Sequence, residues 1–324
     1  MTGFILRRLL QLIPTMLVIS ALSYFVIQLA PGDFLTRLKL NPRIDQETLL
    51  KQAKTLGLDK PAWQRYLIWL QGIVLRGDFG YSFEHHRKVW DLFIERLPAT
   101  ALITLPVFVF AWLISLPIGI YSATHQYSVG DNAFTFTTFL SLSIPDFFFA
   151  LVLMFFLVEV FAVQSVGGLF SQQFIAAGWS WAKFWDYLQH LWPVVLVIGT
   201  GASAGLMRFM RGTMLDILNA HYVQTARAKG LNEHKVVYKH ALRNAVNPMI
   251  TIFGQSLSGL IQGALITAIV FNLPNVERLY FNALSIQDEY LTMTLLMFFA
   301  TLLLVGNLLA DIALAVVDPR IRYG

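Results

Sequence analysis

The chain has 324 residues, of which 56% are hydrophobic and 13% charged, with a formal net charge of +5 and no cysteine. Its charges cluster between long uncharged runs, a pattern that a soluble core does not need and a lipid bilayer does. The missing thiols exclude disulfides and thiolate metal sites, and the basic excess, confined mostly to short flanks and loops, fits membrane orientation rather than nucleic-acid binding.

In chain order, Arg7 and Arg8 precede an uncharged run, Leu9 to Ala30, long enough to cross a bilayer core of roughly 30 Å at about 1.5 Å per residue. The run exceeds the usual apolar region of a signal peptide, so it reads as a retained helix. Asp33 to Pro98 is the one long polar segment. Within it Asp45 can cap a short helix reaching Gly57, and Pro61 suits the first turn of another that carries Trp63, Tyr66, Leu67, Trp69 and Leu70. Gly77-Asp78-Phe79-Gly80 reads as a turn. The aromatics are expected to form the buried face of a small extramembrane cap, with some at the lipid interface.

Ala99 to Ala123 is a second span with Pro106 and Pro117 as kinks, followed by a short link, Thr124 to Asn132. Ala133 to Val163 is too long for one straight span; Pro145 divides it, which predicts a kinked or tilted third helix after a lead-in turn. Gln164 to Gln189, with Trp179, Trp181 and Trp185, belongs to the opposite interface, where indoles sit favourably. Leu191 to Met207 makes a rather short fourth span closed by Arg208 and Arg211. Its run of Gly199, Gly201, Ala202, Ser203, Ala204 and Gly205 lets another backbone approach closely.

Next comes a basic island, Gln224 to Pro248. Gly230 can supply the left-handed residue that ends one brief helix, Asn232 can cap the next, and Pro248 is expected to stop it. Ala226 and Ala228 leave a face slim enough to enter a groove, while Arg227, Lys229, Lys235, Lys239 and Arg243 supply positive charge. Two readings stand here: a docking surface, or a solvated loop whose charges fix topology. Met249 to Phe271 forms the fifth span, with a Gly259-x-x-x-Gly263 packing motif, and Leu291 to Ala310 the sixth, before Asp311 and the tail Asp318 to Tyr323.

About six spans place both termini on one side. With the N-terminus in the cytoplasm, the island and the Arg320 and Arg322 tail are cytoplasmic too, and the two outer links, Gln164 to Gln189 and Phe271 to Tyr290, hold only Lys183 and Arg278 between them. That satisfies the positive-inside rule, since a segment as long as Asp33 to Pro98 translocates largely regardless of charge. The expected fold is an all-α polytopic membrane protein. Its parts are an N-terminal span (1–32), a small extracytoplasmic helical segment (33–98) and a membrane core (99–324) containing a cytoplasmic loop (213–248).

No phosphate-binding loop, zinc-protease helix, nucleophile elbow or calcium loop occurs, so no catalytic or metal-binding residue is assigned and the chain is not read as an enzyme. His85 and His86 are adjacent and do not share a face, which favours a polar loop over a metal pair. Asp146, Glu159 and Asp311 lie within or beside spans, where an ionisable residue is a functional candidate by default. Against that, Asp146 follows Pro145 and can cap a half-helix, and the other two can reach the interface. A proton-coupled carrier needs such a residue deep in the protein with a basic partner, and none is evident.

Tyr222-Val223-Gln224-Thr225-Ala226-Arg227-Ala228-Lys229-Gly230-Leu231, followed by His240-Ala241-Leu242-Arg243-Asn244-Ala245, resembles the cytoplasmic coupling loop of bacterial ABC importer permeases. More narrowly, it resembles the dipeptide/oligopeptide/nickel permease family. The general pattern is Glu-Ala-Ala, three residues, Gly, nine residues, then Ile-x-Leu-Pro. Gln224-Thr225-Ala226 stand at its first three positions, Gly230 and Leu242 match, and His240 and Arg243 replace Ile and Pro, as is typical of the peptide branch. The resemblance covers nearly the whole chain. It includes Arg7-Arg8-Leu9-Leu10, Leu29-Ala30-Pro31-Gly32-Asp33, Leu56 to Pro61, Arg76 to Ser82, Glu95 to Thr100, Ser143-Ile144-Pro145 and Asp318 to Tyr323, all similar to the first, B-type, permease subunit of such systems. One departure is Leu273-Pro274-Asn275-Val276-Glu277 where the family has Trp-Pro-Gly-x-Gly.

The resemblance implies a type I ABC importer permease fold in a bacterial inner membrane, and a subunit that forms half of a pathway for peptides. It implies as partners a homologous second permease, two ATPase subunits that hold ATP and magnesium, and an extracytoplasmic binding protein; no cofactor is expected in this chain. Coupling to the ATPase falls to Gln224, Thr225, Ala226, Arg227, Ala228, Lys229, Gly230 and Leu231, with Ala226 and Gly230 mattering by fit and Arg227 and Lys229 by charge. In the fifth span Gln255, Ser258 and Gln262 share a helix face and could hydrate a passing peptide, or simply bond between helices. Nickel chelates or oligosaccharides are alternative cargoes of the same class. An ion-coupled secondary carrier would need an internal repeat and a buried ionisable pair, and a non-transporting scaffold leaves the coupling-loop pattern unexplained.

Overall fold

The computed structural model describes residues 2–29, 31–32, 34–39, 45–163 and 166–317, with the side chains of 2–5, 37–38, 257–258 and 260–263 excepted. The predicted tail Asp318 to Tyr323, and Ala30 and Asp33, lie outside the described residues. Apart from one bridge between Tyr81 and Lys88, regular structure among the described residues is helical. The helices are α1 (Thr2–Gln28), α2 (Phe34–Lys39), α3 (Gln46–Leu56), α4 (Ala62–Arg76), α5 (Val89–Thr124), α6 (Val129–Ser143) and α7 (Asp146–Phe155), the last continued by a π-helical turn, Phe156–Val160. After them come α8 (Trp181–Leu218), α9 (His221–Ala228), α10 (Glu233–Lys235), a π-helical turn (Val236–Ala241), α11 (Leu242–Gly263), α12 (Leu265–Val270), α13 (Val276–Ser285) and α14 (Glu289–Val317).

Among the described residues, four helices are individually long and apolar enough to cross a membrane: α1 from Leu6, α5, α8 and α14. The pair α6 and α7 passes together as a broken span. The expected fifth span is occupied by α11 and α12, joined at Ala264.

Three expectations are corrected. The third span divides at Pro145 as expected, but as two helices meeting at 97° and not as one kinked or tilted helix. Pro145 disfavours helical backbone in the residue before it, and Ile144 is extended at φ −93°, ψ 120°. The fourth span is not short, because α8 has 38 residues, about 57 Å at 1.5 Å per residue; Lys183 and Arg211 find partners and do not break it. Pro248 does not end a helix but lies inside α11. It forfeits one backbone bond, which other groups of a packed membrane protein can compensate.

The chain forms two compact units. The first comprises 1–100 and 274–304. Tyr24 of α1, Tyr66 and Trp69 of α4 and Met293 of α14 form one buried cluster, and a hydrogen bond of 2.9 Å joins the Ser20 and Tyr66 hydroxyls. Tyr66 and Trp69 therefore pack on membrane helices and not in a separate cap, while Trp63 and Leu67 stay exposed. A buried polar knot accompanies them: Glu289 accepts from Tyr24 Oη (2.7 Å), Gln28 Nε2 (2.9 Å) and Arg65 Nη2 (2.9 Å). Asn275 caps α13 by accepting from the Arg278 amide at 3.2 Å, so the departure at 275–277 is a capped helix start.

The second unit comprises 101–273 and 305–324. Here α8 packs against α6, α7 and α11, and close approach falls where side chains are absent. A Cβ on Gly199 would lie 2.5 Å from the Phe110 ring, and one on Gly254 would lie 2.2 Å from the Gly306 carbonyl oxygen. Gly259, expected at a packing motif, faces open space instead. At the start of α8, Lys183 Nζ donates to the Ala177 carbonyl and stands over the Phe170 ring at 4.7 Å. Trp179, Trp181 and Trp185 remain exposed.

Candidate functional site

The basic island forms a helix on a stiff mount. α8 ends at Leu218, and α9 turns away two residues later. The Leu218 carbonyl accepts from Arg227 Nη1 at 3.2 Å and the Asn219 carbonyl from Gln224 Nε2 at 3.0 Å, filling acceptors that a helix end leaves empty. Gly230, at φ +75°, is the left-handed residue beyond α9. The Asn232 side chain then accepts from the His234 amide at 2.9 Å and opens α10. Arg227 Nη2 and Glu233 Oε1 close the turn at 2.7 Å, and the guanidinium holds the Glu233 carboxyl below its ordinary range.

Val223 and Ala226, spaced i and i+3, form the inner face of α9. They join Met210, Met214 and Leu218 of α8 and Val236 and Val237 of the π-helical turn in one buried core. Ala226 thus faces its own chain, and Arg227 spends its charge within the loop. Gln224, Thr225, Ala228, Lys229, Gly230 and Leu231 are exposed.

Deeper in the same unit a cavity of about 440 Å³ lies between α5, α7, α8 and α11. Ile252, Ser256 and Gly259 line it from α11, at i, i+4 and i+7. Gln255 is exposed and does not line the cavity, and the side chains of Ser258 and Gln262 lie outside the described residues. Trp112 Nε1 donates to Ser256 Oγ at 3.3 Å. Asp146, the first residue of α7, brings a carboxylate to the wall, beside Gly201; a Cβ on that glycine would lie 2.7 Å from Asp146 Oδ1.

Comparison with known proteins places this arrangement. Residues 1–104 match the family described as the N-terminal part of binding-protein-dependent transport system membrane components, and residues 115–323 match its inner membrane component. The chain belongs to this permease family. Over its whole length it is 38% identical to the oligopeptide transport system permease protein AppB of Bacillus subtilis, covering all of that protein. It is 32% identical to the dipeptide transport system permease protein DppB of Escherichia coli K12, covering 99% of it, and 31% identical to the oligopeptide transport system permease protein OppB of Haemophilus influenzae, covering all of it. The permease is accordingly a multi-pass membrane protein with the type I importer fold.

Sequence reasoning missed two part-buried ion pairs in this permease. Asp131 in the first turn of α6 accepts from Arg211 of α8 through Nε (3.0 Å) and Nη2 (2.9 Å). The signal was Ser128-x-x-Asp131, a capping pattern; Ser128 Oγ accepts from the Asp131 amide at 3.1 Å. The second pair, Arg65 and Glu289, joins residues too distant in sequence to associate by pattern. Both pairs sit near helix ends and tie helices together. Glu159 is exposed, Asp311 half-buried, and neither lines the cavity. Among the described residues no three His, Asp or Glu side chains group to hold a metal; His85 and His86 stand in an exposed turn, with the His86 carbonyl accepting from Tyr81 Oη.

Proposed function

We propose that this permease is the B-type member of a pair of membrane subunits in an ATP-driven importer, and that it carries peptides handed over by an extracytoplasmic binding protein. It sits in the bacterial inner membrane with both termini cytoplasmic. Two partner subunits bind ATP and magnesium and hydrolyse ATP; this chain contributes motion and pathway, not catalysis. The substrate class is supported by relatives named for oligopeptides and dipeptides.

The observation that carries this reading is the two-faced α9. Its outer residues Gln224, Thr225 and Ala228, with Lys229 and Leu231 of the turn that follows, are open to a partner, while Val223 and Ala226 share a core with the end of α8 and Arg227 bonds the Leu218 carbonyl. A push on α9 therefore acts on α8, the longest helix of its unit. Closure of the ATPase pair moves each permease as a body and alternates the access of the pathway. Ala226 contributes by seating α9, Arg227 by bracing it, and Lys229 by offering charge to the ATPase. Gly230 keeps the turn compact.

The test is receptor-stimulated ATP hydrolysis by the whole complex in lipid. Peptide-loaded binding protein should stimulate the wild type, and Gly230→Trp should abolish the stimulation while assembly persists, because a Trp resists the left-handed backbone. Hydrolysis indifferent to peptide, or unchanged in the variant, would contradict the reading.

A further inference from the structure

The charged group that the structure brings to the membrane cavity is a carboxylate. Arg211 engages Asp131 and Arg65 engages Glu289; among the described residues no cation is paired with Asp146. Its depth follows from α8. Gly201, which its Oδ1 abuts, is residue 21 of the 38 in α8, at the middle of that membrane-spanning helix. An ionisable side chain at that depth is expensive unless it faces water or a ligand.

We propose that the Asp146 carboxylate receives the terminal ammonium of a passing peptide, so that the permease itself favours free N-termini, beyond whatever the binding protein selects. The inference rests on the peptide reading above. The cavity volume of about 440 Å³ lies within the range of roughly 300–1,000 Å³ typical of small-ligand sites. One carboxylate, with the Ser256 hydroxyl on otherwise apolar walls, complements a group with one positive charge. Trp112 and Phe209 offer apolar faces to the first side chain, and an indole face also attracts a cation. Ser256 Oγ, which accepts from Trp112 and donates to the Phe253 carbonyl at 3.0 Å, retains a lone pair for an ammonium proton. Gly205 and Gly259 keep the space clear, since a Cβ on either would meet nothing within 4 Å.

The test is uptake by the complete transporter in vesicles of one peptide in free and N-acetylated forms, chosen so that the binding protein holds both, with rates taken per receptor-bound peptide. The wild type should prefer the free form by about tenfold, the scale of one charge-assisted hydrogen bond. Asp146→Asn, which keeps the size and helix-start preference of the side chain, should reduce that preference to within about twofold. Gly205→Leu, which fills the cavity, should slow both forms. An acetylated peptide with lysine first that regains the free rate in the wild type alone would extend the site to ammonium groups in general and overturn its restriction to the terminus. Continued peptide uptake with an unchanged preference in Asp146→Asn would overturn the proposal and leave the peptide reading standing. A wild type that takes up neither form would instead overturn the peptide reading.

Discussion

Ala226 and Ala228 lie two residues apart and are alike in sequence, yet the structure assigns them opposite consequences. Ala226 is 7% exposed in a core where Val223, Val236 and Met214 are fully buried. Ala226→Leu adds three carbons to that packing, and overpacking of this kind costs about 1–3 kcal/mol. A loss of about 2 kcal/mol raises the open population of α9 roughly 30-fold. Ala228 faces out, so Ala228→Leu should change stability by no more than about 0.5 kcal/mol. Hydrogen exchange on the purified complex separates them. The amides of His221 to Ala228 should exchange roughly 30-fold faster in Ala226→Leu and at the wild-type rate in Ala228→Leu, whereas receptor-stimulated ATP hydrolysis should fall in Ala228→Leu despite its intact helix. Fast exchange in Ala228→Leu with normal exchange in Ala226→Leu would refute the assignment of faces.

Removing the charge of Glu289 leaves the part-buried Arg65 without its anion, so Glu289→Gln should cost about 1–3 kcal/mol; a thermal midpoint equal to wild type would count against the knot. Glu277 is buried with Oε2 unpaired, and burial pushes its carboxyl up to about 7. Its folded pKa exceeds the unfolded value of roughly 4.3, so the stability it lends is full below that value and is lost as pH rises through about 7. Denaturation should show the protein about 2 kcal/mol less stable at pH 8 than at pH 5.5, and Glu277→Gln should flatten the difference; an equal slope in the variant would assign it elsewhere. Gly254→Ala places a methyl against the Gly306 carbonyl and should destabilise α11 against α14 by about 1–3 kcal/mol, an effect that unaltered unfolding would disprove.

The apolar runs, the left-handed Gly230 and the Asn232 cap were legible in the sequence because each depends on residues within a few positions. Helix ends were less so. α8 outruns its apolar stretch at both ends because Lys183 and Arg211 find partners contributed by other segments, and such pairings leave no local trace. Pro145 announced a break but not its angle, which is set by the extended Ile144. The identity of a helix face was the hardest to read: the sequence offered Ala226 and Ala228 together as a slim surface, and only the position of α8 beneath α9 separates them. The same holds in the fifth span, where the amide Gln255 drew notice and the cavity takes the neighbouring face through Ser256, with its carboxylate arriving from Asp146 on another helix.

On the proposed function, the ATPase grips this permease at the outer face of α9 and the turn after it. The native chain has no cysteine, so a photoreactive probe on Lys229→Cys reports from one place, and Trp181→Cys, exposed at the opposite end of α8, serves as control. In the assembled complex the probe at 229 should form an adduct with the ATPase subunit whose yield changes with bound nucleotide, and the probe at 181 should form none. An ATPase adduct from 181, or none from 229 in a complex that hydrolyses ATP in response to peptide, would contradict the account.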